Sequence, residues 1–478
     1  MISYCKKNKK FIIIIVAFSL LFFLQRILVP AIGYDTDQYL ADSGEARKQW
    51  LSCGRYMLAG IDFLIRKIGY NIYIANFITA VNMAVYAVLF VYFLNVVFET
   101  NDIYRNILTA IILISSPIFL EQYYFSLQEI EVSFSLILMM ITYLQTYLWI
   151  VENKKIYILT ISLILSCCIA VYQSNAVLYI IGVLIVLLKI NEENTKENIR
   201  NIFRCCAVWT VGLMEYFLMK KIVLFYLGIK EGDYIEGQIT WLNGSISEAC
   251  VMIAKSIGRV VLGIGHVLNL GYLICIVYVI WKIVKSDSIL KWKNFYLAAL
   301  LISPMLLNIL LASRLLIRSV LGIPYVCSFF FWYYYKENRK LSVVFGLLIL
   351  SQIINSQLLL YSDNVRYKND IKIARKIYQD CNADEKTVIV FRGVEHPEEE
   401  CFSYKGQTLG HSFFEWSNGE SDADEWRIWY FMKLHGMEFQ LPNEQEYQEG
   451  SKLDLKNEYP QNGYIIEKNE CYYVNLGE

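Results

Sequence analysis

Long apolar runs constrain this chain more than any other feature. A helix must stay apolar for roughly 20 residues to cross the hydrocarbon core of a bilayer, and 56% of the 478 residues are hydrophobic. The first run, Phe11–Val29, follows four lysines and is longer than the apolar core of a cleaved signal peptide. Arg26 interrupts its end and no small-residue cleavage site follows, so we interpret it as an uncleaved first span with a cytoplasmic N-terminus.

The later runs predict a polytopic membrane protein with about eleven helical spans. Ile107–Leu120 ends at Ser115-Ser116-Pro117, so this span is expected to be tilted or broken. Alternation from a cytoplasmic start places the lysine-rich loops inside, as the positive-inside rule requires, and places the C-terminus outside. The remaining spans are predicted near Ile74–Val97, Val132–Val151, Tyr157–Tyr172, Ala176–Ile190, Cys205–Leu227, Leu268–Val284, Phe295–Ala312, Leu316–Tyr335 and Leu341–Leu360.

Two external loops have an amphipathic pattern with helical spacing. In Glu45–Ile68, apolar residues such as Leu51, Leu58 and Ile65 recur on one face and charged residues occupy the other. Ser247–Val267 repeats the pattern more weakly. Such helices lie in the membrane interface rather than across it.

The composition changes after residue 360. Residues 361–478 carry 23 acidic and 13 basic side chains. A helix over Arg366–Asp380, a strand over Thr387–Phe391 and late strands over Tyr464–Glu467 and Cys471–Leu476 predict a small α/β domain. We therefore expect a membrane domain at 1–360 and a soluble, extracytoplasmic domain at 361–478.

Several function classes find no support in the sequence. The charge distribution does not suggest nucleic-acid binding. The chain has no Walker A sequence, Gly-rich dinucleotide fingerprint, HExxH or GxSxG, so ATP-driven transport and serine or zinc hydrolysis are unsupported. Its cysteines form no CxxC metal pattern, and no cofactor or metal is expected.

The first external loop contains the most suggestive pattern, Tyr34-Asp35-Thr36-Asp37. A carboxylate placed just beyond a span can take the proton of an acceptor hydroxyl at the membrane surface. The alternative is that Asp35 and Asp37 are ordinary solvated acids. Asp-x-Asp is also a metal motif of nucleotide-sugar transferases, but that motif belongs on the nucleotide-containing side, whereas this loop is predicted outside.

Other outer loops contain groups that suit a sugar or a phosphate. Glu121, Tyr123 and Glu129 either bind sugar hydroxyls and ring faces or cap helix ends. Tyr172 and Gln173, at the outer end of a span, either bond neighbouring helices or face a cavity.

An external turn breaks the positive-inside trend. Arg314 and Arg318 either bind a lipid phosphate through paired hydrogen bonds or contact anionic headgroups non-specifically.

The order of short motifs along most of the chain resembles the serotype-converting glucosyltransferases of bacteria (Gtr type II). No single motif is specific to this family, but the order of all the motifs together is. It comprises Tyr34-Asp35-Thr36-Asp37, Trp50…Gly54-Arg55, Pro117…Glu121…Phe125, Tyr172-Gln173, Ser362-Asp363-Asn364…Arg366-Tyr367…Asp370 and Gly410-His411-Ser412-Phe413-Phe414.

The resemblance implies a multi-span fold of the GT-C type in a bacterial cell membrane. Members are expected to move a sugar, here glucose, from a polyprenyl-phosphate carrier to O-antigen or a related surface glycan on the outer face. Asp35 or Asp37 would be the catalytic base, and the intervening Thr36 leaves the choice open. A small flippase and a donor synthase are the implied partners, beside the bilayer, the donor and the glycan acceptor.

The substrate-binding residues expected from the resemblance and from charge and position form one set. The arginines would lie near the carrier phosphate, and the aromatic and polar residues would line the sugar cavity. The set is Tyr34, Trp50, Arg55, Glu121, Tyr123, Glu129, Tyr172, Gln173, Arg314 and Arg318.

Three other classes also fit a multi-span chain. A surface-polysaccharide polymerase would transfer a whole repeat unit, and the acidic first loop and soluble tail favour the monosaccharide transferase instead. A flippase or transporter would place charges mid-span, whereas here they cluster at span ends. Eleven spans are excessive for a receptor whose tail binds a ligand.

Overall fold

The computed structural model of the chain is mostly helical, with a small sheet near the C-terminus. It describes residues 2–190, 194–233, 237–286, 291–313, 316–335, 339–395, 404–415, 425–450, 452–453 and 455–477. The chain divides into two compact units. The first comprises 1–28, 47–123 and 128–356, and the second comprises 29–46, 124–127 and 357–478.

Apolar helices form the first unit. In its N-terminal half the helices are Ile2–Lys7, Lys9–Phe22, Leu24–Leu28, Tyr56–Ile68, Ile72–Val97, Ile103–Ile114, Pro117–Tyr123, Glu129–Glu152, Ile156–Val171 and Asn175–Ile190. Farther along the chain they are Thr195–Leu227, Thr240–Asn243, Ile246–Val261, Gly271–Val284, Trp292–Ile302, Leu306–Leu311 and Gly322–Tyr334. Short 3₁₀ turns lie at Ser126–Gln128, Ser303–Met305 and Ile317–Ser319. Ser43–Ser52 and Arg339–Asp380 have residues in both units.

Five helical stretches among the described residues are long and apolar enough to cross a membrane, or six if one bent pair counts as a span. The five are Ile72–Val97, Ser126–Glu152, Thr195–Leu227, Trp292–Leu311 and Lys340–Asp380. Shorter apolar helices are Ile156–Val171, Asn175–Ile190 and Gly271–Val284. The chain is therefore a membrane protein by length and composition of its helices, while the expected number of eleven spans stays a prediction.

The break expected at Ser115-Ser116-Pro117 is confirmed. Ile103–Ile114 and Pro117–Tyr123 are bent by 45° relative to each other. Proline has no backbone N–H and its ring clashes with the preceding helical turn, so a helix cannot continue unbroken through it. The break leaves Glu121 on a short helix of its own.

The amphipathic stretch 45–68 is two helices rather than one. Ser43–Ser52 and Tyr56–Ile68 are separated at Gly54, whose φ of 80° favours glycine. A Cβ there would lie 2.6 Å from the hydroxyl oxygen of Tyr216, so the Tyr216 side chain would have to shift to admit a larger residue. The break places Arg55 immediately before the second helix. The second amphipathic stretch also ends earlier than predicted, at Val261, because Gly263 and Gly265 have positive φ.

Close helix packing fills the interior of the first unit. A Cβ on Gly182 would lie 2.1 Å from the ring of Tyr143, so only glycine permits this approach. The Tyr143 hydroxyl donates to the backbone oxygen of Leu178, which satisfies a buried polar group in an apolar surrounding. Ser19 likewise donates to the Ala80 oxygen at 2.7 Å.

A three-stranded sheet organises the second unit. Its strands are β1 (Val388–Gly393), β2 (Ile465–Lys468) and β3 (Cys471–Gly477), in the order β1-β3-β2. β1 runs parallel to β3, and β2 runs antiparallel to β3. Asn469 and Glu470 both have positive φ, as a two-residue type I′ hairpin requires. The predicted small sheet near the C-terminus is confirmed, with strand ends shifted by one or two residues.

Aromatic side chains form much of the core of the second unit. Phe413 stacks on Phe431 with ring centroids 4.4 Å apart, and Phe391 contacts the rings of Phe414 and Phe439. Further helices of this unit are Thr36–Ala41, Glu425–Leu434 and Glu444–Gly450. The helix predicted over Arg366–Asp380 is the end of the 42-residue helix Arg339–Asp380, which has no break at residue 360.

Candidate functional site

The predicted site residues separate between the two units. Tyr34, Asp35 and Asp37 belong to the second unit. The first unit contains Trp50, Arg55, Glu121, Tyr123, Glu129, Tyr172, Gln173 and Arg318. Arg314 lies outside the described residues.

Tyr34 is held tightly at the start of the acidic loop. Its hydroxyl donates to the backbone oxygen of Ser412 at 2.5 Å, and its ring contacts the rings of Tyr124 and Phe413. Gly33 precedes it, and a Cβ on this glycine would lie 2.7 Å from the Tyr124 ring. Tyr34 is buried. These contacts fix the start of the acidic loop, and the role of Tyr34 in substrate binding stays a prediction.

Asp35 forms an ion pair with Arg427. Its Oδ1 lies 2.5 Å from Nη1 of Arg427, and its φ of 65° is left-handed. Arg427 also lies over the rings of Tyr34, at 5.7 Å, and Trp426, at 4.4 Å. Asp35 remains 41% exposed, so this carboxylate is accessible to solvent while it is paired.

Asp37 has the opposite environment. It lies in the first turn of Thr36–Ala41 and is fully buried. No side chain in the described part of the chain donates a hydrogen bond to its carboxyl oxygens, and the backbone N–H groups of Asp37 and Gln38 are the donors beside it. Burial, with the repulsion of Asp35, raises the pKa of Asp37 from 3.8 to about 8, although the positive charge of Arg427 opposes the rise. The two acids thus differ strongly in exposure and in charge environment.

A buried arginine connects the acidic loop to the tail within the second unit. Arg366 donates to Asp363 at 2.6 Å, to Asp370 at 3.2 Å and to the backbone oxygen of Ile32 at 3.2 Å. Asp370 in turn accepts a hydrogen bond from the Ser412 hydroxyl at 2.6 Å. Because each charge is paired and hydrogen-bonded, its burial is tolerated. Asp363, Arg366, Asp370 and Ser412 all belong to the motifs that carry the family resemblance. Their contacts hold the acidic loop and the tail of the second unit together.

In the first unit, four predicted residues line one cavity of about 180 Å³. We call it the arginine cavity. Arg55 donates from Nε to Oε1 of Gln173 at 3.2 Å, and its guanidinium lies 5.4 Å from the centre of the Tyr172 ring. Gln173 also donates to the Cys53 oxygen at 2.9 Å. The full lining is Cys53, Arg55, Tyr172, Gln173, Ser174, Gln238, Leu307, Leu311, Leu316, Arg318 and Ser319.

The other predicted residues of the first unit are packed in its interior. Glu129 forms a buried ion pair with Arg26 at 3.4 Å, and Arg26 also donates to the Tyr123 oxygen and, at 2.8 Å, to Asn76. The Tyr123 hydroxyl contacts the sulfur of Met83. Trp50 and Glu121 are buried as well. None of Trp50, Glu121, Tyr123 and Glu129 lines the arginine cavity.

Two arginines that pair with predicted site residues were not themselves predicted from the sequence. Arg26 had a usable signal, since an arginine inside an apolar run needs an acidic partner, and Glu129 stands at the start of another span. Arg427 had none, because it is 392 positions from Asp35 and lies in an ordinary charged helix.

No group of three or more His, Cys, Asp or Glu side chains within the described ranges is arranged to hold a metal ion. The comparison with curated proteins finds no match for this chain. A family model described as glucosyl transferase GtrII matches residues 31–335, almost two thirds of the sequence, from the acidic first loop through the last residues of Gly322–Tyr334. The chain therefore belongs to the GtrII glucosyl transferase family.

Proposed function

We propose that this protein transfers a glucosyl group from a polyprenyl-phosphate carrier to a cell-surface glycan on the outer face of a bacterial membrane. Membership of the family supplies glucosyl transfer. The carrier, the acceptor, the GT-C type of fold and the outward orientation of residues 361–478 are our proposals. They are supported by the apolar helices and by the chemistry of two groups of residues.

The arginine cavity carries the proposal of a lipid-linked donor. Arg55 and Arg318 supply guanidinium groups, which bind phosphate oxygens in a bidentate manner. Leucines 307, 311 and 316 line the same cavity and offer apolar contact to a prenyl chain. Tyr172 supplies a ring face and Gln173 an amide, both suited to a sugar. A nucleotide donor would not require the aliphatic wall.

We assign the base to Asp37, which requires that acceptor binding opens a path to its buried carboxyl, and a tuning role to Asp35. An effective general base has a pKa near the operating pH, and the pKa of Asp37, at about 8, meets this condition. Asp35 is already engaged by Arg427. As the base, the Asp37 carboxylate would take the proton of the acceptor hydroxyl.

The reaction is a single displacement at the anomeric carbon, with inversion relative to the carrier-linked sugar. The acceptor oxygen forms the new bond to this carbon as its proton passes to Asp37. The bond from the anomeric carbon to the phosphate oxygen breaks, and its electron pair leaves with the lipid phosphate.

The donor is tested with the purified protein in lipid nanodiscs. We expect glucose transfer from polyprenyl-phosphate glucose to a glycan acceptor, and none from nucleotide-linked glucose without a lipid carrier. The Asp37→Asn variant is the matched control for contaminating activity. Efficient use of the nucleotide sugar by the wild type alone would overturn the proposed donor.

A further inference from the structure

A second cavity lies in the first unit, away from the residues that line the arginine cavity. Its volume is about 650 Å³. It is formed by the C-terminal end of Glu129–Glu152, the turn that follows, the start of Ile156–Val171 and one face of Thr195–Leu227. We call it the basic cavity, because Lys155, Arg200 and Arg204 line it.

The cations outnumber the acids around this cavity. Glu197 is paired with Arg200 at 2.5 Å, and Glu152 is paired with Lys154 at 2.6 Å. Neither Lys155 nor Arg204 has a carboxylate within ion-pair distance in the described part of the chain. Among the described residues, the positive charges of Lys155 and Arg204 are thus left for an anion.

Arg204 is held in place by uncharged groups. Its Nη2 donates to the side-chain oxygen of Asn153 at 2.8 Å, and its guanidinium lies 4.7 Å from the centre of the Trp149 ring. Stacking on an aromatic ring orients a guanidinium without neutralising it. Its remaining N–H groups can still donate to a ligand.

Charge and apolar surface are separated along the cavity. Arg200, Arg204, Ala207, Val208 and Val211 lie on one face of Thr195–Leu227, since they recur at intervals of three or four residues. Val211 is about 10 Å farther along the helix axis than Arg204 at about 1.5 Å per residue. The cavity therefore has a cationic end at the interhelical turn and an apolar end deeper along the helices.

We infer that the basic cavity binds an anionic phospholipid, with its phosphate on Lys155 and Arg204 and an acyl chain along Val208 and Val211. An amphiphile fits a cavity with one cationic and one apolar end, whereas a free anion would use only the first. The positive-inside pattern assigns this turn to the cytoplasmic side, where anionic lipids are enriched. The inference does not depend on the donor, the acceptor or the base of the transfer reaction.

Native mass spectrometry of the detergent-purified protein tests it. Phosphatidylglycerol should bind the wild type at least tenfold more tightly than phosphatidylcholine of the same chains. Each basic residue near a lipid contributes about fivefold, so the Lys155→Gln/Arg204→Gln variant should bind phosphatidylglycerol roughly 30-fold more weakly. Arg204→Lys keeps the charge and should lose less. Lys285→Gln is the matched control, because Lys285 also lies over a tryptophan, Trp281, at 4.5 Å but does not line the cavity.

Two results would overturn the inference. One is equal binding of the two lipids by the wild type. This measurement does not depend on whether any variant folds. The other is displacement of phosphatidylglycerol by a few millimolar inorganic phosphate, which would make this a site for the free ion. Glucosyl transfer is measured separately, so failure of this proposal leaves the proposed function unaffected.

Discussion

The assignment of Asp37 as base predicts a specific pH dependence of transfer. A carboxyl with a pKa of about 8 is ionised in about one molecule in ten at pH 7 and in about nine in ten at pH 9. Only the ionised carboxylate can take the proton from the hydroxyl group of the glycan acceptor. The kcat/KM for transfer should therefore rise about tenfold from pH 7 to pH 9 and level off above the pKa, because this ratio follows ionisation of the free enzyme.

Asp37→Asn should remove the base without removing the fold. Asparagine has nearly the same size, and the neutral amide resembles the protonated carboxyl that predominates at pH 7. A general base contributes about 10²–10⁴-fold in rate, or about 3–5 kcal/mol of barrier. The variant should lose activity by this factor and show no rising limb between pH 7 and pH 9, while still accumulating in the membrane.

Asp35→Asn and Arg427→Gln shift the pKa of Asp37 in opposite directions. Removing the repulsion of Asp35 lowers the pKa, so the rising limb should move to lower pH with activity retained. Removing the positive charge of Arg427 raises the pKa, so the limb should move to higher pH. The assay is initial-rate transfer from lipid-linked glucose between pH 6 and 10. A flat profile in the wild type, or full activity in Asp37→Asn with loss in Asp35→Asn, would refute the assignment.

Four further outcomes test other parts of the structure. Arg55→Gln should raise the KM for lipid-linked glucose about tenfold or more, since charged hydrogen bonds contribute about 1.5–3 kcal/mol, while Lys67→Gln, outside the arginine cavity, should change it less than twofold. Arg26→Met should destabilise by about 3–5 kcal/mol in denaturant unfolding by leaving Glu129 buried and unpaired, and the double variant Arg26→Met/Glu129→Leu should recover most of that loss. Gly33→Ala should lower the thermal midpoint, because overpacking costs about 1–3 kcal/mol. A reporter active only outside the cytoplasm should be active when fused to the C-terminus, and a silent fusion with a full-length product would contradict the predicted topology.

Local patterns predicted the elements that local chemistry determines. The break at Pro117 and the two late strands follow from residue types within a few positions, and the structure agrees. The division of Glu45–Ile68 into two helices at Gly54 was missed, because the apolar spacing continues across this glycine. Tyr216 lies against Gly54, and sequence periodicity contains no information about that contact.

Four of the predicted site residues lie together, while their role in binding a substrate stays a prediction. Arg55, Tyr172, Gln173 and Arg318 were expected near one substrate, and they line one cavity. Glu129 was expected to bind sugar but is buried against Arg26. Carboxylates at span ends look alike in sequence whether they face a ligand or an internal cation, and only tertiary packing distinguishes the two cases.

The second unit is assembled from three separate segments of the chain, and this affects its biosynthesis. Arg427 is 392 positions downstream of Asp35, and Ser412 is 378 positions downstream of Tyr34. At about 5–20 residues per second, the ribosome needs about 20–80 s to supply the distant partner. During this interval the acidic loop is already synthesised but lacks its tail contacts. An unfinished or C-terminally clipped chain therefore carries both aspartates without Arg427, so the ion pair at Asp35 forms only after residue 427 has been synthesised.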